Sequence, residues 1–268
     1  MKYSNKLFVC LSGVTLTSLM TACGSSTDSS FASSTSTASG ECVTQLHNAY
    51  ADFTNVDAVL SSDGCTVTLE AEGKPNHTSS YWDSGNASGL YVEPVSAELF
   101  LRRSPGDIED YTNTFVMTAA VNPSKSATTT STSLGPIGLA VSGAPLFNGS
   151  EGPTDLSTGV IQGFDRNGAH TGPQVYHYHL EPTAISNDDE NLVGILGDSF
   201  FIYGRKCFST DDYPTDLDAS GGHTSVTQHT GVDASDAEYH YHIKNEQYLN
   251  SGYLVFGGDF QGNSNGFN

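Results

Sequence analysis

Tyr176-His177-Tyr178-His179 recurs, letter for letter, as Tyr239-His240-Tyr241-His242. Histidine is scarce elsewhere: the 268 residues hold nine, and these two runs take four of them. In an extended strand, residues two apart point to the same face. Each run therefore sets two imidazoles on one side and two phenol rings on the other. Tyrosine suits pleated, half-buried positions and carries a polar tip, so Tyr176, Tyr178, Tyr239 and Tyr241 are expected to pack within a sheet. Neutral imidazole is the commonest metal ligand among side chains. Two such strands side by side would gather His177, His179, His240 and His242 into one cluster.

The likeness extends upstream. Asp165-Arg166-Asn167-Gly168-Ala169-His170-Thr171 and Asp218-Ala219-Ser220-Gly221-Gly222-His223-Thr224 both read D-x-x-G-x-H-T. Further back, the apolar run from Gly138 to Phe147 resembles that from Gly194 to Tyr203, each ending on an aromatic at the same offset. The order is apolar run, Asp loop with His, then tetrapeptide, twice. Residues 134–182 and 192–243 are read as two diverged copies of one unit about a pseudo-twofold axis, with matching loops and strands on either side of a shared site.

At these residues the chain resembles the YHYH-domain proteins, a mainly bacterial family named for the motif. The resemblance covers roughly residues 65–245 and rests on the 138–147 run with its flanks, the Asp218–Thr224 loop and both tetrapeptides. Gly73-Lys74-Pro75-Asn76-His77 also looks like the family's G-x-P-x-H stretch. Family members often carry Cys in the Asp loop; here those positions are Asn167 and Ser220, so thiolate ligation or a disulfide at that point is absent. The resemblance supplies a family and no mechanism.

Zinc and copper need nitrogen ligands converging at about 2.0–2.1 Å. An H-x-H pair on a strand supplies two. His177, His179, His240 and His242 are the first candidates, with His170, His223 and His77 next from loops. Asp165 and Asp218 are candidate carboxylate ligands, or acceptors that orient a histidine ring. Seven histidines exceed one tetrahedral site, so two metals bind or some histidines serve as acid–base groups around one. With no thiolate in the set, cuprous ion and cysteine-type structural zinc are disfavoured. Zinc or copper fits best, iron next. Calcium fits less well: Asp216-Leu217-Asp218-Ala219-Ser220-Gly221 opens like a calcium loop, but Thr227 stands where the bidentate Glu belongs. His47 and His229 match no repeat position and are read as ordinary polar residues.

Residues 1–22 read as a lipoprotein signal peptide. Lys2 and Lys6 precede a short apolar stretch, and Leu19-Met20-Thr21-Ala22-Cys23 resembles a lipobox. An acylated Cys23 would anchor the protein to a bilayer without a spanning helix, and Gly24 after it favours the outer membrane of a Gram-negative bacterium. Residues 23–40 are then the lipidated Cys and a Ser/Thr-rich tether reaching roughly 20–25 Å, and 41–268 the folded domain. Export implies an oxidising compartment. Of the remaining cysteines, Cys42–Cys65 is the favoured disulfide; Cys207 would then be free.

The formal charge is −20. It argues against nucleic acid and anionic surfaces as partners and agrees with attraction for cations. Protein partners are not indicated. Short runs rich in Val, Thr, Tyr and Phe, separated by Gly, Asn, Asp and Ser, predict strands over 66–70, 90–93, 97–102, 114–121, 137–141, 175–180, 200–203, 238–243 and 253–256. The spacing of Leu46, Tyr50, Phe53 and Val56 predicts a helix over 44–60, and 122–133 reads as a Ser/Thr-rich loop. The expected fold is mainly β, one compact domain with an internal duplication. The leading function is metal binding or handling by a membrane-anchored lipoprotein. The alternatives are a metal-dependent hydrolase and a non-enzymatic surface or adhesion protein whose histidines only pack.

Overall fold

The computed structural model describes residues 41–82, 85, 89–94, 108, 114–172 and 175–264. These fall within one unit of the chain, Ala38–Asn268. The expected signal, Cys23, the tether and the 97–102 strand lie outside the described residues.

The architecture is mainly β. A small antiparallel sheet is built from β1 (Asp57–Leu60), β2 (Thr66–Ala71) and β3 (Phe115–Ala120), in that order. The helix expected over 44–60 is corrected here: the segment forms a 3-10 turn, Asn48–Asp52, and then β1. Asp57–Leu60 pairs residue for residue with Leu60's partner Val67 through Asp57's partner Glu70. Ladder pairing and partial burial of Ala58 and Leu60 against the core of the small sheet outweigh a helical spacing that covered barely three turns. Cys42 and Cys65 form a disulfide, Cα–Cα 4.4 Å, tying the chain ahead of the turn to the start of β2.

The larger sheet has eight strands. In chain order they are β4 (Gly138–Ala140), β5 (Pro145–Leu146), β8 (Ala169–Thr171), β9 (Tyr176–Tyr178), β10 (Leu192–Leu196), β11 (Phe201–Tyr203), β12 (Gly222–Ser225) and β13 (Glu238–His242). Between β5 and β8 lie the ribbon of β6 (Ser150–Glu151) and β7 (Thr154–Asp155) and one short helix, Thr158–Ile161, capped by the Ser157 side chain. The ribbon of β14 (Gln247–Tyr248) and β15 (Gly252–Tyr253) follows β13.

Across the sheet the order is β12-β13-β11-β10-β4-β5-β9-β8. Its centre is the antiparallel β10–β4 pair, with Ile195 opposite Leu139. Outward on each side runs an antiparallel hairpin partner (β5 or β11), a parallel neighbour carrying the tetrapeptide (β9 or β13), and an antiparallel edge strand (β8 or β12).

Alternation along the strands divides the core. Leu139, Ile195, Phe201 and Tyr203 pack with Val67, Leu69 and Met117 of the small sheet. Ala140, Leu146, Tyr176, Tyr178, Ile202 and Tyr241 face the opposite way, beneath Val255, Phe256 and Phe260 of the C-terminal segment. The tyrosines thus do what the alternation predicted: Tyr176, Tyr178 and Tyr241 are fully buried. The histidines take the other face, near the two ends of the sheet.

Candidate metal centres

On β9 the ring of His177 hydrogen-bonds through Nδ1 to the Val175 carbonyl at 2.8 Å, and just past the strand that of His179 does so through Nδ1 to the Asn148 carbonyl at 2.7 Å. A carbonyl oxygen only accepts, so both Nδ1 atoms carry the proton and both Nε2 atoms carry the lone pair. Those two Nε2 atoms stand 3.0 Å apart. The edge strand supplies a third imidazole, because His170 lies directly opposite His177 in the β8–β9 ladder. Glu151, on β6, brings a carboxylate oxygen to 3.3 Å from His179 Nε2 and 3.4 Å from His170 Nε2. Phe147 stacks on His177, ring centroids 3.9 Å apart, and Phe164 lies parallel to His179 at 5.4 Å.

The same arrangement stands at the other end of the sheet. His240 Nδ1 meets the Glu238 carbonyl at 3.0 Å and His242 Nδ1 the Gly204 carbonyl at 2.7 Å. Their Nε2 atoms are 3.1 Å apart. His223 lies opposite His240 in the β12–β13 ladder, and its Nδ1 is held by Asp216 at 2.7 Å. This is the carboxylate–histidine pairing that turns Nε2 toward a metal. Here the fourth donor is Cys207, whose Sγ lies 3.5 Å from His223 Nε2.

In each group the donor atoms all lie within 4.8 Å of one another. Ligands on a tetrahedral ion at 2.0–2.1 Å are spaced about 3.3 Å apart, and slightly more with sulfur. The 3.0–3.5 Å separations above match that spacing. Glu151-His170-His177-His179 and Cys207-His223-His240-His242 are therefore plausible transition-metal clusters, and nothing in the geometry selects zinc, copper or iron.

The electrostatics of His177, His179 and His240 agree with lone pairs turned inward. Burial, reinforced by His179 and His170, holds His177 well below the usual imidazole value. Burial likewise takes His179 down to about 4 and lowers His240. Burial opposes ionisation of Cys207, but its close contacts with His223, His240, His242 and Ser209 outweigh it and hold the thiol far below its normal value. For His223 burial acts downward too, yet its bonds to Cys207 and Asp216 leave it raised.

Several expectations change. The four tetrapeptide histidines do not form one cluster around a shared pocket. β9 pairs in parallel with β5 and β13 with β11, so four strands lie between β9 and β13, roughly 24 Å at five inter-strand steps. The expectation that no thiolate takes part is also corrected, since Cys207 is free, buried and in the second group. Asp165 and Asp218 lie on the tyrosine side: Tyr176 Oη donates to Asp165 at 2.7 Å and Tyr239 Oη to Asp218 at 3.0 Å. Their partners are tyrosines, turn amides, Ser79 and Lys125 rather than imidazoles. His77 joins neither group; its Nε2 meets Tyr178 Oη and Asn167 holds its Nδ1 at 3.1 Å. Asp216 and Asp218 turn to different partners, His223 and Tyr239. His47 and His229 pair with Glu238 and Asp52, as ordinary polar residues do.

Glu151 and Cys207 were missed in the sequence, though a signal was present. Glu151 lies thirteen residues past Gly138 and Cys207 thirteen past Gly194. Carrying the alignment of the apolar runs four residues further sets the two opposite each other.

The molecule is thus a β-sheet protein with two histidine-centred clusters, each built on a Tyr-His-Tyr-His strand. Residues 116–219 match the family model described as YHYH protein, which is consistent with membership of that family. The match takes in the first tetrapeptide and ends before the second. No curated protein and no solved structure matches the chain.

Proposed function

We propose that this is an exported, lipid-anchored protein that binds transition metal at both clusters, as a binding or handling module. The observation that carries the metal reading is the facing of paired lone pairs, His177 Nε2 to His179 Nε2 and His240 Nε2 to His242 Nε2, at 3.0 and 3.1 Å. Each ring's other nitrogen is committed to a carbonyl. Two buried lone pairs at that distance repel unless a cation sits between them. A packing role alone would turn one ring to donate to the other.

We read the two halves of the large sheet as copies of one unit about a pseudo-twofold axis at the β10–β4 pair. Matching pairs support this: His170 faces His177 as His223 faces His240, and Leu146 pairs with Tyr178 as Ile202 pairs with Tyr241. The axis relates two sites instead of bisecting one.

Export and anchoring rest on the signal-like residues 1–22 and the lipobox at Cys23. Among the described residues no helix is long and apolar enough to cross a membrane. Cys23→Ala should abolish labelling by a radioactive fatty acid and release the protein from the outer-membrane fraction. Continued membrane association without label would remove the lipid anchor from this reading.

A second reading, metal-dependent hydrolysis, draws on one feature. Glu151 and His170 keep 37% and 14% of their side-chain surface exposed, so an ion there could carry a water of lowered pKa. Elemental analysis of protein purified without a metal-affinity tag tests the metal reading. About two equivalents are expected in the wild type, and about one after His177→Ala or His240→Ala. Metal-free protein, or unchanged content in both variants, would sink it.

A further inference from the structure

The two clusters differ in one donor. The three imidazoles occupy the same ladder positions in each, His170, His177 and His179 at one end and His223, His240 and His242 at the other. The fourth donor stands at the same distance along the chain from its apolar run, but is a carboxylate in Glu151 and a thiolate in Cys207. Their enclosure differs as well. Cys207, His223, His240 and His242 are all buried, whereas Glu151 and His170 are partly open.

We propose that the clusters select different ions: Cys207-His223-His240-His242 holds cuprous copper, and Glu151-His170-His177-His179 holds a harder divalent ion such as zinc. This rests on the reading of both clusters as metal sites. A thiolate suits soft and borderline ions, cuprous copper and zinc among them, and of the two clusters only that of Cys207 offers cuprous copper a soft ligand; a carboxylate with imidazoles suits borderline and hard divalent ions. Enclosure acts in the same direction. A monovalent ion against one thiolate leaves no net charge to bury among the four donors, whereas a divalent ion there leaves a positive one, which costs most where water is excluded. The open side of the Glu151 cluster lets water screen the residual charge and fill a further position on a divalent ion. Asp216 does not upset this distinction, because its carboxylate is 70% exposed and already bonded to His223.

The test uses chelator-stripped protein, loaded anaerobically with one equivalent of cuprous ion under reductant and one of Zn²⁺. X-ray absorption should give a sulfur neighbour at the copper edge and only nitrogen and oxygen at the zinc edge. Cys207→Ser should weaken cuprous binding by more than the roughly 10–100-fold typical of removing an outer-sphere partner, with zinc uptake unchanged. Glu151→Cys should create a second cuprous site, a gain that misfolding does not produce. Copper without a sulfur neighbour, or Cys207→Ser retaining wild-type cuprous affinity, overturns the proposal. Uptake of two equivalents of either ion at equal affinity overturns the distinction and leaves the metal reading standing. Uptake of neither ion overturns both.

Discussion

An imidazole whose Nδ1–H is tied to a carbonyl has one nitrogen left and one direction in which to use it. His177, His179, His240 and His242 are all held this way, so the rings are oriented before any ion arrives. Their orientation has a cost that pH reveals. The unfolded chain takes up a proton on each ring near 6.5; folded His179 does so only near 4, because burial disfavours its charge. Between those values the unfolded state binds more protons, so this ring's contribution is complete above about pH 6.5 and is lost as pH falls toward 4. Buried Asp165, Asp198 and Glu181 are raised by burial and act in the opposite sense. His179→Gln removes this ring's contribution and relaxes that of His177, and both changes act in the same direction. Urea unfolding of the metal-free proteins should give the variant a shallower loss of stability between pH 6.5 and 4, and parallel curves would refute this.

Asp165 makes a second residue-scale case. It is buried and accepts from Ser79, from Tyr176 Oη and from the Asn167 amide at 2.8 Å. Asp165→Ala strands these donors and should cost about 2–4 kcal/mol. Asp218, with 28% of its side chain exposed and Lys125 at 2.9 Å, should cost about half as much on removal, since water can replace it. Equal losses in denaturant midpoints would contradict the difference in burial.

At the scale of elements, the D-x-x-G-x-H-T loops are turns that deliver an edge histidine to its ladder partner. Asp165 Oδ1 accepts from the Asn167 amide, the chain reverses at Gly168, and His170 enters β8. Gly168 has φ 67° and Gly221 φ 90°, conformations that side chains with a Cβ adopt at a cost of roughly 1–2 kcal/mol. Space separates the two. A Cβ on Gly168 would meet Leu180 Cβ at 2.7 Å and its backbone at 3.1 Å, whereas one on Gly221 comes closest to the flexible Lys244 side chain at 2.9 Å, with backbone no nearer than 3.7 Å. Gly168→Ala should therefore lose about 3 kcal/mol and Gly221→Ala about 1–2, measured by chemical unfolding. The reverse order would mean that the turn, not Leu180, sets the cost.

Over the whole molecule, the separation of the two clusters should make any ions they bind independent of each other. Sites roughly 24 Å apart with no shared ligand should add their contributions. Ion at about 100 times its dissociation constant stabilises by about 2.7 kcal/mol per site. Calorimetry of protein stripped by chelator should show a lower melting temperature that returns in two separable increments on reloading. Ablating one cluster with His177→Ala should leave the increment from the other intact; loss of both would indicate coupling through the central strands.

Strand alternation, the repeated Asp loops and the apolar runs made the β class, the buried tyrosine face and most candidate ligands readable from the sequence, because each depends on spacing within a few residues. Segment 44–60 was misread because a helical spacing over three turns is weak beside the pairing that β2 offers. Glu151 was hidden because a single carboxylate on a two-residue strand carries no periodicity. Cys207 was set aside as a leftover of the disulfide count.

By itself, then, the sequence determined that imidazoles would project in pairs from two strands, since a period of two is a local property of the extended chain. Which strands became neighbours was decided only by tertiary pairing. The central β10–β4 ladder drives the tetrapeptide strands outward, so the histidines converge in two places, and long-range packing brings Glu151 to one and Cys207 to the other.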